Sequence, residues 1–478
     1  MAGGAGRAVH GDDSQFAPFA AKMRAAGVPQ ASIDNFRFYF NQLREGHTGL
    51  IPEADIEPVA CVPDICDLGG EVAAGAAHLP QVAVLKLNGG LGTSMGLDRA
   101  KSLLPVRDGL SFLDIIARQT LTFRRRHGVH VPLLLLNSFS TDADTRAVLA
   151  RYPDLAGELP LTLLQSRAPK VLRDTLAPVN WPDDPELEWY PPGHGEVYTV
   201  LETSGMLDAL LDRGYRFLFL SNVDNLGATL DLRILGYMAR REAPFLMEVA
   251  DRTDADRKGG HLARRQDGQL ILREVAQCPP GDMPAFQDIQ RHRFFNTNNL
   301  WVSLPHLKQA LRERNNVLEL PMICNAKTVD PTQPDSPAVY QLETAMGAAI
   351  AIFPGAEALR VERDRFLPVK LCSDLLGLRS DAYVLDDDYR LRLHPSRDGR
   401  PLMIALDLDY YKILSAFEAR FPGGPPSLVG CTSLSVQGDV LFEAGVVVRG
   451  DVQVINTTAT QRRVPAGTIL ESGRLDLI

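Results

Sequence analysis

Hydrophobic and polar positions change period along the chain, and each change predicts a different kind of element. Ile33, Phe36, Phe40 and Leu43 recur at helical spacing, with Ser32 where a cap would stand and Gly46 where a helix stops. A second, less regular helical pattern precedes them, and residues 1–12, rich in Gly and Ala without a period, predict a disordered tail. After Leu50-Ile-Pro-Glu-Ala-Asp-Ile-Glu-Pro58 the chain turns to short apolar runs alternating with helical patterns, the signature of an α/β sheet. Val82-Ala-Val-Leu-Lys-Leu87, Leu133-Leu-Leu-Leu136 and Phe217-Leu-Phe-Leu220 read as buried parallel strands. Each runs into a polar stretch containing asparagine: Asn88-Gly-Gly90, Asn137-Ser138 and Ser221-Asn-Val-Asp224. Ligands of open α/β sheets bind beyond the carboxyl ends of strands, so these stretches are expected to converge on one crevice.

Toward the C-terminus, Tyr410, Ile413, Leu414, Phe417 and Phe421 predict an amphipathic helix that ends at Pro422-Gly-Gly-Pro-Pro426. From Ser427 onward the chain is rich in Val and Gly, and Gly-Asp-Val occurs at 438–440 and again at 450–452. Short strands with glycine corners suggest a small β-solenoid, a plain β-sheet being the alternative. The pattern therefore divides the chain into a helical segment at 1–60, an α/β domain at 61–380 and a C-terminal helix plus β region at 381–478.

Composition narrows the function classes. With 478 residues, two to four domains and a full-sized core are available. The 50 Lys and Arg against 59 Asp and Glu leave a formal charge of −9, which argues against a general binder of nucleic acid or membrane surfaces. An anionic ligand needs a local basic pocket. The six cysteines contain no CxxC pair and no zinc-finger spacing, and read as free, mostly buried thiols of a reducing compartment. No apolar run matches a signal peptide or reaches the ~18 residues of a membrane helix, so a cytoplasmic location is expected.

The sharpest segment is Leu85-Lys-Leu-Asn-Gly-Gly-Leu-Gly-Thr-Ser-Met-Gly96, a glycine-rich turn after a strand, followed by Lys101-Ser102. Glycines let backbone N–H groups approach an anion, so the segment reads as a nucleotide-phosphate cradle, or else as a tight turn without a ligand. It is not a Walker A loop, because Leu-Asp-Arg-Ala separates Gly96 from Lys101. Nor is it a dinucleotide fingerprint: Met95 stands at the third glycine position.

These residues closely resemble the UDP-glucose pyrophosphorylase family, the UTP:glucose-1-phosphate uridylyltransferases best known from eukaryotes. Further blocks resemble it in the same order: Gln165-Ser-Arg-Ala-Pro169, Trp189-Tyr-Pro-Pro-Gly-His-Gly195, Ser221-Asn-Val-Asp-Asn-Leu-Gly-Ala228, Asn296-Thr-Asn-Asn-Leu-Trp301 and Arg365-Phe-Leu-Pro-Val-Lys370. Arg99-Ala100 replaces a common Gly-Pro, Glu196 a common Asp, and Asn325-Ala-Lys327 an Asn-Pro-Lys pattern. The resemblance implies a nucleotidyltransferase-type, Rossmann-like mixed sheet flanked by helices, a C-terminal β-helix domain, and a homo-oligomer assembled through that domain. It implies transfer of the uridylyl group of UTP to glucose 1-phosphate, giving UDP-glucose and pyrophosphate. Rival readings are a pyrophosphorylase for another sugar 1-phosphate and a non-catalytic nucleotide-sugar-binding subunit.

Such a transfer needs no general base, because the attacking phosphate is already an anion; the protein must position two polyanions and offset their repulsion. Asp224, at a strand's end, is the candidate ligand for Mg²⁺, an ion that takes few protein carboxylates. By resemblance Lys101 attends the triphosphate and Lys370 the transferring phosphate, and these two are the catalytic candidates. Lys370 lies between Phe366-Leu-Pro-Val369 and Leu371-Cys-Ser-Asp374, an apolar setting in which an ammonium needs an anionic partner, from substrate or from Asp374. Gln165 offers the donor and acceptor that a uracil edge requires, and by resemblance reads the base. Leu87, Asn88, Gly89, Gly90, Gly193 and Asn222 complete the implied nucleotide set, with Gly193 letting the chain lie against the ring. Gly89, Gly90, His194, Asn296, Asn298 and Glu343 form the implied sugar-phosphate set.

Overall fold

The computed structural model describes residues 14–477; the disordered tail expected at 1–12 lies outside them. The fold is mixed α/β, with a large mixed sheet flanked by helices. The chain forms two compact units, each assembled from separate stretches: Met1–Val82, Leu163–Leu220 and Leu232–Val361 make the first, and Ala83–Thr162, Ser221–Asp231 and Glu362–Ile478 the second.

In the first unit, helices Ala17–Ala25 and Gln30–Arg44 bury Phe16, Phe19, Phe36 and Phe40 in one aromatic cluster, with Phe19 and Phe40 4.8 Å apart between ring centroids. The second helix starts three residues earlier than expected. Pro29 fixes the extended entry, so Ser32 falls inside the helix, buried, and caps nothing. Gly46 ends it as expected, at φ +85° with its N–H on Leu43 O. Strand Phe294–Ser303 is buried along nearly all its length and pairs antiparallel with three others, including Phe217–Leu220. That last run, expected as a parallel strand, is therefore antiparallel to this neighbour. Strands Met322–Thr328, Ala338–Thr344 and Val171–Leu172 form a separate antiparallel sheet.

In the second unit, residues 84–88 of strand Val82–Asn88 run parallel to Leu133–Asn137, in register from Val84↔Leu133 to Asn88↔Asn137, and the strand is buried except at half-buried Leu87, with Lys86 and Asn88 as buried polar residues among its apolar ones. Helix Phe112–His127 is opened by a Ser111/Asp114 capping box and closed by Gly128 at φ +63°. The stripe expected at 410–421 is split: Asp407 caps Leu408–Tyr411, the chain is extended at Ile413, and Leu414–Ala419 follows. Tyr411, Phe417 and Phe421 are buried, whereas Ile413 is 42% exposed.

Met403–Leu406, just before that stripe, and Cys431–Gln437, Gly450–Asn456 and Gly473–Leu477, after it, form one parallel sheet, and two further parallel pairs join Val440–Phe442 to Arg462–Val464 and Val447–Val448 to Ile469–Leu470. The two Gly-Asp-Val copies are not partners: Asp451 pairs with Ser433, and Gly438 lies against the carbonyl of Asn456. The six cysteines are free; Cys278, Cys372 and Cys431 are buried and Cys324 is half-buried, but Cys61 and Cys66 are exposed. No helix among the described residues is long and apolar enough to cross a membrane.

Candidate functional site

The sequence-predicted residues fall into two groups, one in each unit. In the second unit, the ends of the strands do meet. The N–H of Val223 bonds Leu87 O at 3.0 Å, and Asn88 Nδ2 donates to Asn137 Oδ1 and Thr145 Oγ1, both at 2.8 Å. Asn88 is fully buried, so its side chain ties these segments together and is not presented to a ligand. Leu87, Gly89 and Asn222 are half-buried beside it. The chain then turns through Gly92 and Gly96, both at positive φ, and the N–H of Lys101 returns to Gly90 O at 3.1 Å. Gly92 is required by the turn: a Cβ there would come 2.8 Å from Leu97. Gly90 is different, because it is exposed and nothing lies within 4 Å of its missing Cβ.

Lys101 Nζ donates to Asp224 Oδ2 at 2.6 Å, both side chains less than one-fifth exposed. The other oxygen, Asp224 Oδ1, is buried and has no partner. Among the described residues no three His, Cys, Asp or Glu side chains cluster in a metal-binding arrangement. The donor set thus offers a cation a single carboxylate oxygen, which fits Mg²⁺, whose other ligands are typically phosphates and waters. Asn225, which sequence reasoning passed over, holds the next segment: its Oδ1 accepts the N–H of Leu367 at 2.8 Å and its Nδ2 donates to Arg365 O at 3.1 Å. The N–H of Val369 bonds Asp224 O at 3.3 Å. Lys370 is therefore carried beside Asp224. Its setting differs from the expectation: Val369 and Cys372 turn inward, Lys370 is exposed, and Asp374 holds the backbone N–H groups of Lys370 and Leu371 at 2.7 and 2.8 Å. Burial keeps the Asp374 carboxyl above its ordinary pKa despite these bonds and the two lysines.

In the first unit, Gln165 is half-exposed at the end of strand Thr162–Leu164. Ser166, which follows it, gives both its hydroxyl and its N–H to the carboxyl of buried Glu196. Gly193 sits at φ +86°, where a Cβ would come 2.5 Å from Thr344 O. The bare Cα that was expected to admit a ligand ring is needed by the chain itself. His194 is exposed, and its Nδ1 accepts the N–H of Met346 at 2.9 Å, which places the proton of the neutral ring on Nε2. Glu343 accepts from Asn325 Nδ2 at 2.9 Å, and burial raises its pKa.

Asn296 and Asn298 are joined twice, Nδ2 to Oδ1 at 2.8 Å and the Asn298 N–H to Asn296 Oδ1 at 2.9 Å, with Asn298 at φ +57°. Their register irregularity is anchored by buried Glu248, whose carboxylate accepts from Asn299 Nδ2 and Trp301 Nε1 at 3.0 and 2.9 Å and whose carbonyl accepts from Thr297. Glu248 was missed, although a lone acid inside Phe245-Leu-Met-Glu-Val-Ala250 is the signal that could have found it.

Comparisons with known proteins identify the family. Residues 33–449 match the family model of UTP–glucose-1-phosphate uridylyltransferase. The UTP–glucose-1-phosphate uridylyltransferase of Saccharomyces cerevisiae is 44% identical over 398 residues, 83% of this chain and 78% of that protein. The probable enzyme of that name in Schizosaccharomyces pombe is 40% identical over 93% of this chain and 87% of its own. A mutant UDP-glucose pyrophosphorylase of Leishmania major, solved in complex with UDP-glucose, superposes with a TM-score of 0.92 at 45% identity, covering 98% of this chain and 100% of that one. The chain belongs to the UTP–glucose-1-phosphate uridylyltransferase family.

Proposed function

We propose, from that membership, that the protein transfers the uridylyl group of UTP to glucose 1-phosphate, producing UDP-glucose and pyrophosphate in a reversible reaction. The observation that carries the chemistry is the Lys101–Asp224 pair beside Gly90, a glycine whose missing Cβ faces open space and a carboxylate whose second oxygen is unbonded. An open glycine admits a phosphate chain against the backbone, and the ammonium offsets its charge.

In this reading Gly89, Gly90 and Lys101 cradle the triphosphate, Lys370 stabilises the charge that accumulates on the transferring phosphate, and Asn225 and Asp374 keep Lys370 in place. Asp224 would hold Mg²⁺ through Oδ1; the ion supplies further neutralisation of the phosphates. Gln165 reads the uracil edge, and His194, through its Nε2–H, Asn296, Asn298 and Glu343 serve the sugar phosphate. No residue need remove a proton from the nucleophile.

The C-terminal parallel sheets, with Val440, Phe442, Val446, Val448 and Val454 turned inward, support reading that region as a β-helix. Its edge strands Met403–Leu406 and Gly473–Leu477 are the surfaces on which we expect homo-oligomer contacts, and the free cysteines support a cytoplasmic setting. The test is formation of UDP-glucose from UTP, glucose 1-phosphate and Mg²⁺, with EDTA abolishing turnover. Undiminished activity in EDTA removes the metal from the reading, and faster turnover of N-acetylglucosamine 1-phosphate overturns the assigned substrate.

A further inference from the structure

One carboxylate in the first unit takes both donors of a single residue next to the base-reading glutamine. Glu196 is 3% exposed, and its two oxygens accept the Ser166 hydroxyl and, at 3.2 Å, the Ser166 N–H. The segment carrying Glu196 is itself fixed: a Cβ on Gly193 or Gly195 would come within 2.5 Å of Thr344, so these turns are packed directly on strand Ala338–Thr344. A small cavity of about 20 Å³, room for one water molecule, is lined by Glu196, Ser166, Arg167 and the helical residues Met23, Ser32 and Tyr39. Arg167 stacks on Trp189 at 4.4 Å, so the residue after Ser166 is pinned as well, whereas the side chain of Gln165 stands half-exposed.

We propose that Glu196 is a positioning residue for nucleotide recognition: by holding both donors of Ser166 it fixes the direction of Gln165, and UTP binding weakens when this clamp is protonated. The proposal rests on the reading that Gln165 reads the uracil. A neutral carboxyl is a poorer acceptor for the two donors than a carboxylate. Burial raises the Glu196 pKa to about 7, so the clamp changes state in the physiological range. Of the groups facing it, burial pushes Tyr39 and Tyr190 up, His194 accepts the Met346 N–H on Nδ1 and is neutral, and burial raises Glu343, which packs on Gly193 and accepts from Asn325.

The test is steady-state kinetics from pH 5.5 to 8.5 on the wild type, Glu196→Gln, Ser166→Ala and Gln165→Ala. Glu196→Gln should raise the KM for UTP at pH 8 roughly tenfold, about the effect of one hydrogen bond to a charged group. It should leave kcat and the KM for glucose 1-phosphate within about twofold, and remove the inflection near pH 7 that distinguishes it from wild type. Ser166→Ala, which keeps the fold's backbone bond, should give a smaller change in the same KM and serves if Glu196→Gln does not fold. An unchanged UTP KM and pH profile in both variants overturns the clamp. If Gln165→Ala leaves the UTP KM unchanged while Glu196→Gln raises it, the base-reading assignment falls and with it the proposed route through Gln165; if only Gln165→Ala raises it, the assignment stands and the clamp falls.

Discussion

The two residue groups solve recognition by opposite means. In the second unit, Lys101, Asp224 and Lys370 keep charge at or near the surface: one ammonium is shared with a half-paired carboxylate, and the other is exposed. In the first unit the polar groups are tied to one another, Ser166 to Glu196, Asn296 to Asn298, His194 to the Met346 backbone, and the charges among them are buried. The difference follows from what each is proposed to meet. Polyanions reward incompletely satisfied cations, whereas a neutral base or sugar is discriminated by rigid donors and acceptors. Glycine shows the same contrast. Gly90 faces open space, and Gly193 faces Thr344.

The strongest way to break this contrast is to remove charge from the open group. Asp224→Asn should lower kcat/KM by about 10³-fold, equivalent to about 4 kcal/mol, and should weaken the dependence of rate on Mg²⁺. Lys370→Ala should lower kcat by roughly 10²–10³ with a smaller effect on KM. Because Asp374 holds the backbone of Lys370 and not its ammonium, the melting temperature should move by less than about 1 °C. A large loss of stability with normal specific activity would make Lys370 structural and erase the contrast.

How much of this was legible in the sequence follows the same division. The open group was, because glycine, lysine and aspartate at strand ends carry their chemistry in their identity and spacing. Strand Val82–Asn88, the Gly90 to Lys101 turn and Asp224 stand where the pattern put them. What stayed hidden depends on contacts between residues distant in sequence. Nothing local says that Gly193 is needed by Thr344, that Asn88 spends its amide on Asn137 and Thr145, or that Glu248 holds Trp301. Ser32 misled for a related reason: a serine before an apolar period looks like a cap, but Pro29 set the start. The split at Ile413 was equally invisible, since helical spacing survives a break of one residue.

Glycine substitutions sharpen the contrast at the next level of effect. Gly193→Ala requires a positive φ and a Cβ 2.5 Å from a carbonyl oxygen, so it should destabilise the fold by about 2–4 kcal/mol, read as a lower melting temperature before any ligand is added. Gly90→Ala meets no atom within 4 Å and should leave melting within about 0.5 kcal/mol of wild type while raising the KM for UTP. Equal melting losses for the two would mean that the fold needs Gly90 as well, and the case for a cradle would lose its main support.

The smallest effect concerns acid, where the two units should part again. In the first unit His261 and His292 stack with centroids 3.8 Å apart, both fully buried; burial holds both pKa values down, His292 adds to the depression of His261, and Glu53 opposes that of His292. A depressed folded pKa gives stability that is present above the ordinary histidine value of about 6.5 and is lost as pH falls from there toward the folded value. Glu196 runs the other way, gaining stability as pH falls from about 7, so the whole-protein melting curve mixes two signs. In the second unit, burial pushes the Asp114 carboxyl up but hydrogen bonds from Ser111 and Tyr152 outweigh it, and its contribution persists until pH falls below about 3.8. Hydrogen exchange resolves the mixture. Between pH 7 and 5, strands His261–Arg265 and Leu270–Arg273 should lose protection while helix Phe112–His127 keeps it, and His261→Phe, which retains a ring against Phe286, should reduce that loss. Equal loss in both places, or no change in the variant, would show that the buried imidazoles do not set the acid response of the first unit.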